Sequence, residues 1–303
     1  MSAKINHIPS LSVGIPAYNE AANIGRLLRE IVAQEESGFS LLEILVLSDG
    51  STDGTKAEVE AVTDPRIKFT DSRQRLGKSG RVNQILQRGR GDIILLLDAD
   101  ITLRNSRFIS EAVTGFDPEV HGLSGFNTTP VPGRTFVERS LNSSIRIVET
   151  VRLQWNHGLN FLGYRGSGIM LAKTLARSLK LPQNLVTDDA FYFFSALAAG
   201  YTPRYRPDLR IYYRSPSTIR DHLKQSQRFK YLAVELHDLI QSPRAQACYH
   251  LPTSILLRAT VEELLRHPLE TISYIAINAY TKISAHRRPD TAWNVVSSTK
   301  KLD

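Results

Sequence analysis

The chain has 303 residues, 42% hydrophobic and 22% charged, with one cysteine, Cys248, and a formal net charge of +8. That length buries a full core, either as one large α/β domain or as a domain with an appended helical part, and a single cysteine excludes an intrachain disulfide. Met1 to Pro9 lacks the apolar stretch of a secretory signal, and Leu269 to Ala285 is interrupted by Glu270, Asn278 and Lys282. Neither a leader nor a membrane span is expected, and the location expected is cytoplasmic.

The basic excess is one-sided. Residues 1–199 carry 22 Lys and Arg against 21 Asp and Glu, whereas residues 200–303 carry 16 against 9. Such a C-terminal excess suits substrate phosphates, an anionic membrane surface, or only solvent. No recognition motif or basic-aromatic stripe accompanies it, so nucleic acid is not an expected partner.

Leu11 to Ile15 reads as a strand, followed by Ile24, Leu27, Leu28, Ile31 and Val32 at helical spacing. Then come a strand at Glu43 to Leu47, a helix after Asp53, a short strand at Ile67 to Thr70, a helix through Val82 to Leu86, and a strand at Asp92 to Leu97. This alternation predicts a mostly parallel sheet flanked by helices, a Rossmann-like α/β layout. In such sheets ligands bind at the loops after the C-terminal strand ends. Those loops are Pro16-Ala17-Tyr18-Asn19-Glu20, the segment from Ser48 to Gly54, and Asp98-Ala99-Asp100. The first has no glycine triplet for a dinucleotide, and the chain has no Walker-type phosphate loop, no His-Glu-x-x-His helix and no cysteine cluster.

Asp98 and Asp100 are the strongest chemical signal. On a continuing strand, residues i and i+2 share a face, so the two carboxylates converge and call for a divalent cation. Hard oxygen ligands suit Mg2+ or Mn2+, ions that commonly also hold a diphosphate. The alternative is a solvated loop with two turn-forming aspartates. The glycine-rich stretch Gly163 to Met170 lets backbone approach an acceptor closely, or is a tight turn into a core strand. Asp188 and Asp189 also suit the start of a helix through Phe191 to Ala199. Asn127 and Asn142 match glycosylation acceptors, which we read as incidental. From Leu251 onward, Leu256, Leu257, Val261, Leu264 and Leu265 fall on one side of a helix; Pro268 and a second helix near Ile272 to Ile283 follow, then Arg287, Arg288, Lys300 and Lys301. This predicts a helical hairpin that packs on the rest or lies on a membrane surface.

From Leu11 to about Leu232 the chain resembles family 2 glycosyltransferases, which have a GT-A fold. Pro16 to Glu20 is similar to the family's opening motif, with Pro16, Ala17, Tyr18 and Glu20 against the nucleoside. Asp49 matches the aspartate that reads the uracil edge, although Ser48 stands where that motif has a first aspartate. Lys78, in Leu76 to Asn83, matches the lysine that approaches the diphosphate, and Arg81 stands where a small residue is usual. Thr187-Asp188-Asp189 and Gln225-Ser226-Gln227-Arg228-Phe229 resemble motifs of cellulose, chitin and hyaluronan synthases, with Phe229 in place of tryptophan.

The resemblance implies an inverting, metal-dependent transferase moving sugar from a nucleotide-sugar, a UDP-sugar by the Asp49 match, to a saccharide or lipid-linked acceptor. Asp189 is then the general base. Lys78, Asp98 and Arg228 meet the donor; Asp98 and Asp100, with His222, hold Mg2+ or Mn2+; Asp188, Gln225, Phe229, Gly166 and Ser167 meet the acceptor. Residues 1–232 form the catalytic domain, with a nucleotide half to about 100 and an acceptor half from 101, and residues 233–303 form a helical extension with a basic tail. Two other readings stay open: a degenerate transferase serving as a partner in a synthase complex, and a sugar-nucleotide pyrophosphorylase, whose glycine-rich, arginine-bearing first loop is missing.

Overall fold

The computed structural model describes residues 8–183, 185, 188–226, 236–284 and 299, with backbone only at 224–226 and 284. Seven strands form one sheet in the order β3-β2-β1-β4-β6-β5-β7. They are β1 Ser10–Ala17, β2 Ser40–Asp49, β3 Ile67–Ser72, β4 Ile93–Leu97, β5 Leu123–Pro130, β6 Gly168–Ala172 and β7 Arg204–Tyr213. β1 to β4 are mutually parallel, β6 runs antiparallel to both neighbours, and β7 is parallel to β5. The C-terminal ends of β2, β1 and β4 therefore lie side by side on one edge, as the alternation predicts.

The apolar run of β4 explains why the sheet is covered on both faces. Ile93, Leu95 and Leu97 join the layer beneath α1 Ile24–Val32 and α4 Phe108–Thr114, while Ile94 and Leu96 join the layer beneath α3 Gly77–Arg88. α2 Thr55–Glu60 follows the second loop. Close approach of α3 needs Gly14 on β1, where a Cβ would stand 2.2 Å from Ile85 Cγ2.

Periodicity in the first half identifies β1 to β4 and α1 to α3, but β5, β7 and the helix α5 Phe136–Gln154 carry no such regular signal. α5 is set by its start: Thr135 Oγ1 accepts the Glu138 N–H, and the Glu138 carboxylate accepts the Thr135 N–H. The glycine-rich stretch is a turn leading into β6. α6 Lys173–Ser178, α7 Asp188–Ala198 and α8 Ile219–Ser226 complete this half. Asn127 and Asn142 are buried, and the Asn142 amide donates to the Val131 carbonyl and accepts from Ser215 Oγ. Neither is presented for glycosylation.

After α9 Pro243–Tyr249, the expected hairpin forms as α10 Thr253–Arg266 and α11 Pro268–Ser284, and both helices pack on α5. The packing side of α10 is not the leucine side. Ala259 and Glu263 turn inward, Glu263 meeting Arg146 at 2.6 Å, while Leu257 and Leu265 are 67% and 80% exposed. Val261 and Leu256 are exposed as well, and α11 adds Leu269, Ile272 and Ile283. Among the described residues no helix is long and apolar enough to cross a membrane. Arg287, Arg288, Lys300 and Lys301 lie outside the described residues.

The junction of β5 with the turn before β6 tolerates no side chain. A Cβ on Gly125 would stand 2.1 Å from the Gly163 carbonyl oxygen, a backbone atom that moves only with the whole turn. Gly125→Ala is expected to destabilise by about 3 kcal/mol, the upper part of the overpacking range. The check is the thermal midpoint by circular dichroism, which should fall by several degrees; an unchanged midpoint refutes this packing.

Candidate active site

The first two loops lock each other. Asn19 takes a left-handed conformation (φ 52°), which asparagine tolerates, and its N–H donates to Ser51 Oγ at 3.0 Å while its Oδ1 accepts the Thr52 N–H at 2.8 Å. The Glu20 N–H donates to Thr55 Oγ1 at 2.8 Å; the Glu20 side chain is buried and accepts from Asn23 Nδ2, so it organises the start of α1. Pro16 and Ala17 are buried at the end of β1, opposite Leu47 and Ser48. Tyr18 is half-buried with the Arg75 guanidinium 3.6 Å above its ring.

Asp49 is fully buried at the end of β2. Its Oδ1 accepts from the Leu76 N–H at 2.7 Å and Arg81 Nε at 2.9 Å, and its Oδ2 accepts from Arg75 Nε and the Gly77 N–H, each at 3.1 Å. Four donors fill the four lone-pair sites of a carboxylate. Arg81 therefore serves neither phosphate nor surface: it is 2% exposed, and its remaining nitrogens donate to Gln84 and to the Gln74 carbonyl. Together these bonds fold residues 74–77 over β2 and fix where α3 begins.

That placement brings Lys78, in the first turn of α3, into the centre. Its Nζ is 2.9 Å from Asp98 Oδ1 and 3.0 Å from Asp188 Oδ2. Burial alone would lower the Lys78 ammonium; the Asp188 and Asp98 carboxylates outweigh it and hold the group well above the ordinary lysine value. Asp98 and Asp100 do not continue the strand. β4 stops at Leu97, and a turn carries both residues, with the Asp98 N–H donating to the Ser167 carbonyl at 3.1 Å. The strand argument for their convergence is thus corrected, yet the charges still act on each other. Burial, with Asp100 and Asp188 adding to it against the pull of Lys78, raises the Asp98 carboxyl to about 7.

Asp188 and Asp189 open α7, where the helix dipole favours carboxylates, a position compatible with either reading of the pair. Asp189 Oδ1 accepts the Gly166 N–H at 2.5 Å. A Cβ on Gly166 would fall 2.7 Å from Asp188 Oδ2 and 3.0 Å from Asp189 Oδ1, so only glycine lets this backbone reach both. Burial first, then the Asp188 charge, raises the Asp189 carboxyl, against the Arg165 guanidinium and the Gly166 bond, which lower it. Sequence reasoning missed Arg165 as Asp189's counter-charge; the fold brings it there beside the Tyr213 ring, 5.3 Å from its centroid.

His222, on α8, is partly buried, which lowers its pKa, and it lines an apolar cavity together with Asp189. Among the described residues no three His, Cys, Asp or Glu side chains form a group that could hold a metal ion, so His222 does not complete a set with Asp98 and Asp100. The two aspartates nevertheless fit a cation by their chemistry: they are hard carboxylate ligands two residues apart just after β4, their charges act on each other, and two carboxylates leave coordination positions for diphosphate oxygens. Gln225 lies on α8 with its side chain outside the description; Thr187, Arg228 and Phe229 lie outside the described residues.

Comparison with known proteins agrees with this architecture. Residues 12–169 match Glycosyl transferase family 2, and residues 93–293 match Glycosyl transferase family group 2. The succinoglycan biosynthesis protein ExoO of Rhizobium meliloti is 35% identical over 103 residues, 34% of this chain and 29% of that protein. An undecaprenyl-phosphate 4-deoxy-4-formamido-L-arabinose transferase of Aeromonas hydrophila is 26% identical over 166 residues, 52% of this chain and 49% of that one. The matched segments thus span half or less of these relatives. Among solved structures, a mannosyltransferase of Pyrobaculum calidifontis in complex with GDP-Man and Mn2+ superposes with a TM-score of 0.58 at 20% identity, covering 93% of this chain and 77% of that one. Glucosyl-3-phosphoglycerate synthase of Mycobacterium tuberculosis, in complex with Mn2+ and UDP, gives 0.51 at 20% identity over 75% and 80%. These two likenesses establish the GT-A fold, and the first match, which covers half of the chain and includes Lys78, Asp98 and Asp100, establishes that the chain belongs to glycosyl transferase family 2.

Proposed function

We propose that the chain transfers a sugar, with inversion, from a nucleotide-sugar to an acceptor hydroxyl. The observation that carries this reading is the Lys78 bridge, which joins Asp98 at the end of β4 to Asp188 at the start of α7 and so sets a donor-side group against Asp189. In a single in-line displacement the acceptor oxygen bonds to the anomeric carbon as the bond from that carbon to the diphosphate breaks. The hydroxyl proton passes to Asp189, and the electron pair leaves with the diphosphate. The Gly166 N–H and Arg165 orient the Asp189 carboxylate, and Lys78 offers a point charge on the donor side. Asp98 and Asp100 would hold Mg2+ or Mn2+, which supplies positive charge where the leaving diphosphate gains negative charge. A UDP-sugar is the proposed donor, from the Asp49 match.

The exposed side of the hairpin supports contact with an anionic lipid surface. Leu257, Val261 and Leu265 on α10 and Leu269, Ile272 and Ile283 on α11 repeat at helical spacing, and Arg258, Arg266 and Lys282 are exposed on the same two helices. A monomer rarely leaves such a stripe uncovered. The domain assignment, with residues 1–232 catalytic and 233–303 an extension, belongs to the same proposal.

For Asp189→Asn, turnover should fall by roughly 100-fold or more with nucleotide affinity nearly intact, as for loss of a general base. Because a base acts deprotonated and burial raises Asp189, wild-type kcat/KM should rise with pH through a midpoint above the ordinary aspartate value of about 3.9. Collapse of nucleotide affinity in this variant would make Asp189 a binding residue. In calorimetry with UDP, GDP and dTDP, binding of UDP alone is expected with manganese and its loss with excess chelator or in Asp100→Ala; chelator-insensitive binding sinks the metal assignment. Flotation with phosphatidylglycerol vesicles is expected for the intact chain and should be lost in Leu257→Glu with Ile272→Glu; failure of the intact chain to float removes the membrane contact.

A further inference from the structure

Lys78 gives the carboxylate site a cation of its own. Its Nζ stands 2.9 Å from Asp98 Oδ1, 3.2 Å from Asp98 Oδ2 and 3.0 Å from Asp188 Oδ2. An ammonium has three protons to donate and no lone pair, so three carboxylate oxygens match its whole donor capacity. The same protons are what a diphosphate oxygen would take from a lysine. In the bridged arrangement they are committed, and Lys78 meets a diphosphate only by letting a carboxylate go.

Asp98 is the carboxylate most fully engaged. A nitrogen this near both of its oxygens takes the position from which one cation meets both, and a divalent ion ligated by Asp98 needs the same oxygens. Two positive charges on one buried carboxylate repel strongly. The Lys78 bridge and a metal on Asp98 are therefore alternatives. The side chains suit an exchange: Lys78 and Asp98 are each 25% exposed, and lysine carries a compact charge on a flexible stem. Asp188 offers a second carboxylate, so that release of Asp98 does not strip the ammonium of its counter-charge.

We propose that Lys78 is the resident counter-cation of this site, which gives up Asp98 to the metal and turns to the diphosphate, so that metal and nucleotide enter together. This rests on the metal assignment above and goes beyond it: the lysine that assists the nucleotide opposes the metal alone. Asp98 is open to the metal only in the fraction of molecules in which Lys78 has let go, and that fraction lowers the apparent affinity. A nucleotide that draws Lys78 away restores it, and by linkage the metal strengthens nucleotide binding by the same factor.

The test is calorimetry on the full chain at about pH 8, where free carboxylates are ionised, with Mn2+ alone, UDP alone and UDP at saturating Mn2+. Lys78→Met is expected to bind Mn2+ alone about 10-fold tighter than wild type, and UDP with Mn2+ about 10-fold more weakly. Loss of packing or of fold does not produce those opposite signs. Lys78→Gln, checked with Lys78→Met for folding by circular dichroism, should act in the same direction. Arg165, whose charge also acts on Asp98, separates exchange from a general field: Arg165→Met should tighten Mn2+ clearly less. Adding Asp98→Asn to Lys78→Met should erase the gain. Mn2+ affinity unchanged or weakened in both lysine variants, with wild-type UDP binding still dependent on Mn2+, overturns the exchange and leaves the metal assignment standing. Equal tightening in Arg165→Met overturns it as well, because Lys78 is then only background charge. Absence of Mn2+-dependent UDP binding in the wild type sinks the metal assignment and the exchange with it.

Discussion

The site depends on how four carboxylates are kept together. Asp98, Asp100, Asp188 and Asp189 influence one another's charge in a largely buried centre, and the countercharges fixed there by the fold are Lys78 and Arg165. Burial first, and then the neighbouring Asp100 and Asp188 charges, raise Asp98 to about 7 despite a lysine at 2.9 Å. Such a cluster is electrostatically incomplete. Added positive charge near Asp98 would relieve it, and the raised Asp189 carboxyl is the group that the proposed function uses as base. On the proposed reading, the same imbalance would favour a cation beside Asp98 and a proton at Asp189.

The sheet explains why these groups meet. The parallel order β2-β1-β4 puts three loops on one edge, and β6, entering antiparallel beside β4, brings the turn at Gly166 and Ser167 against the end of that strand. The Asp98 N–H to Ser167 carbonyl bond joins the end of β4 to the turn before β6 through main chain, and the Gly166 N–H to Asp189 bond ties that turn to the start of α7. Glycine at 166 is what permits that approach, since any Cβ would collide with Asp188.

Residues 1–100 were legible because their signals are local. Alternating apolar runs and helical spacing place β1 to β4 and α1 to α3, and short motifs mark the loops. The part after residue 100 is held by long-range pairs that no spacing announces: Glu138 with Arg214, Arg152 with Tyr205, Arg165 near Asp189. The hairpin teaches the same point in reverse. Its leucine stripe was visible in the sequence, but periodicity does not say which face finds a partner, and the face that packs on α5 is the one carrying Ala259 and Glu263. The basic residues beyond α11 follow the same rule, because composition gives a charge without giving its place.

Asp49 shows how a family motif and its local chemistry can pull apart. A carboxylate that reads a nucleobase N–H needs a free lone pair, and here all four sites are taken. The Leu76 and Gly77 donors are backbone atoms at the start of α3, and Arg81 is buried with its other nitrogens engaged. Arg75 is different. Its side chain is 40% exposed and lies on the ring of Tyr18, in the loop expected to face the nucleoside. For Asp49 to accept from a base, Arg75 is the donor that gives way at least local cost, since its guanidinium regains water on leaving. The buried Arg81 then keeps the carboxylate paired, and that second arginine is what makes the exchange affordable: without it, release of Arg75 would strand a charge at the end of β2.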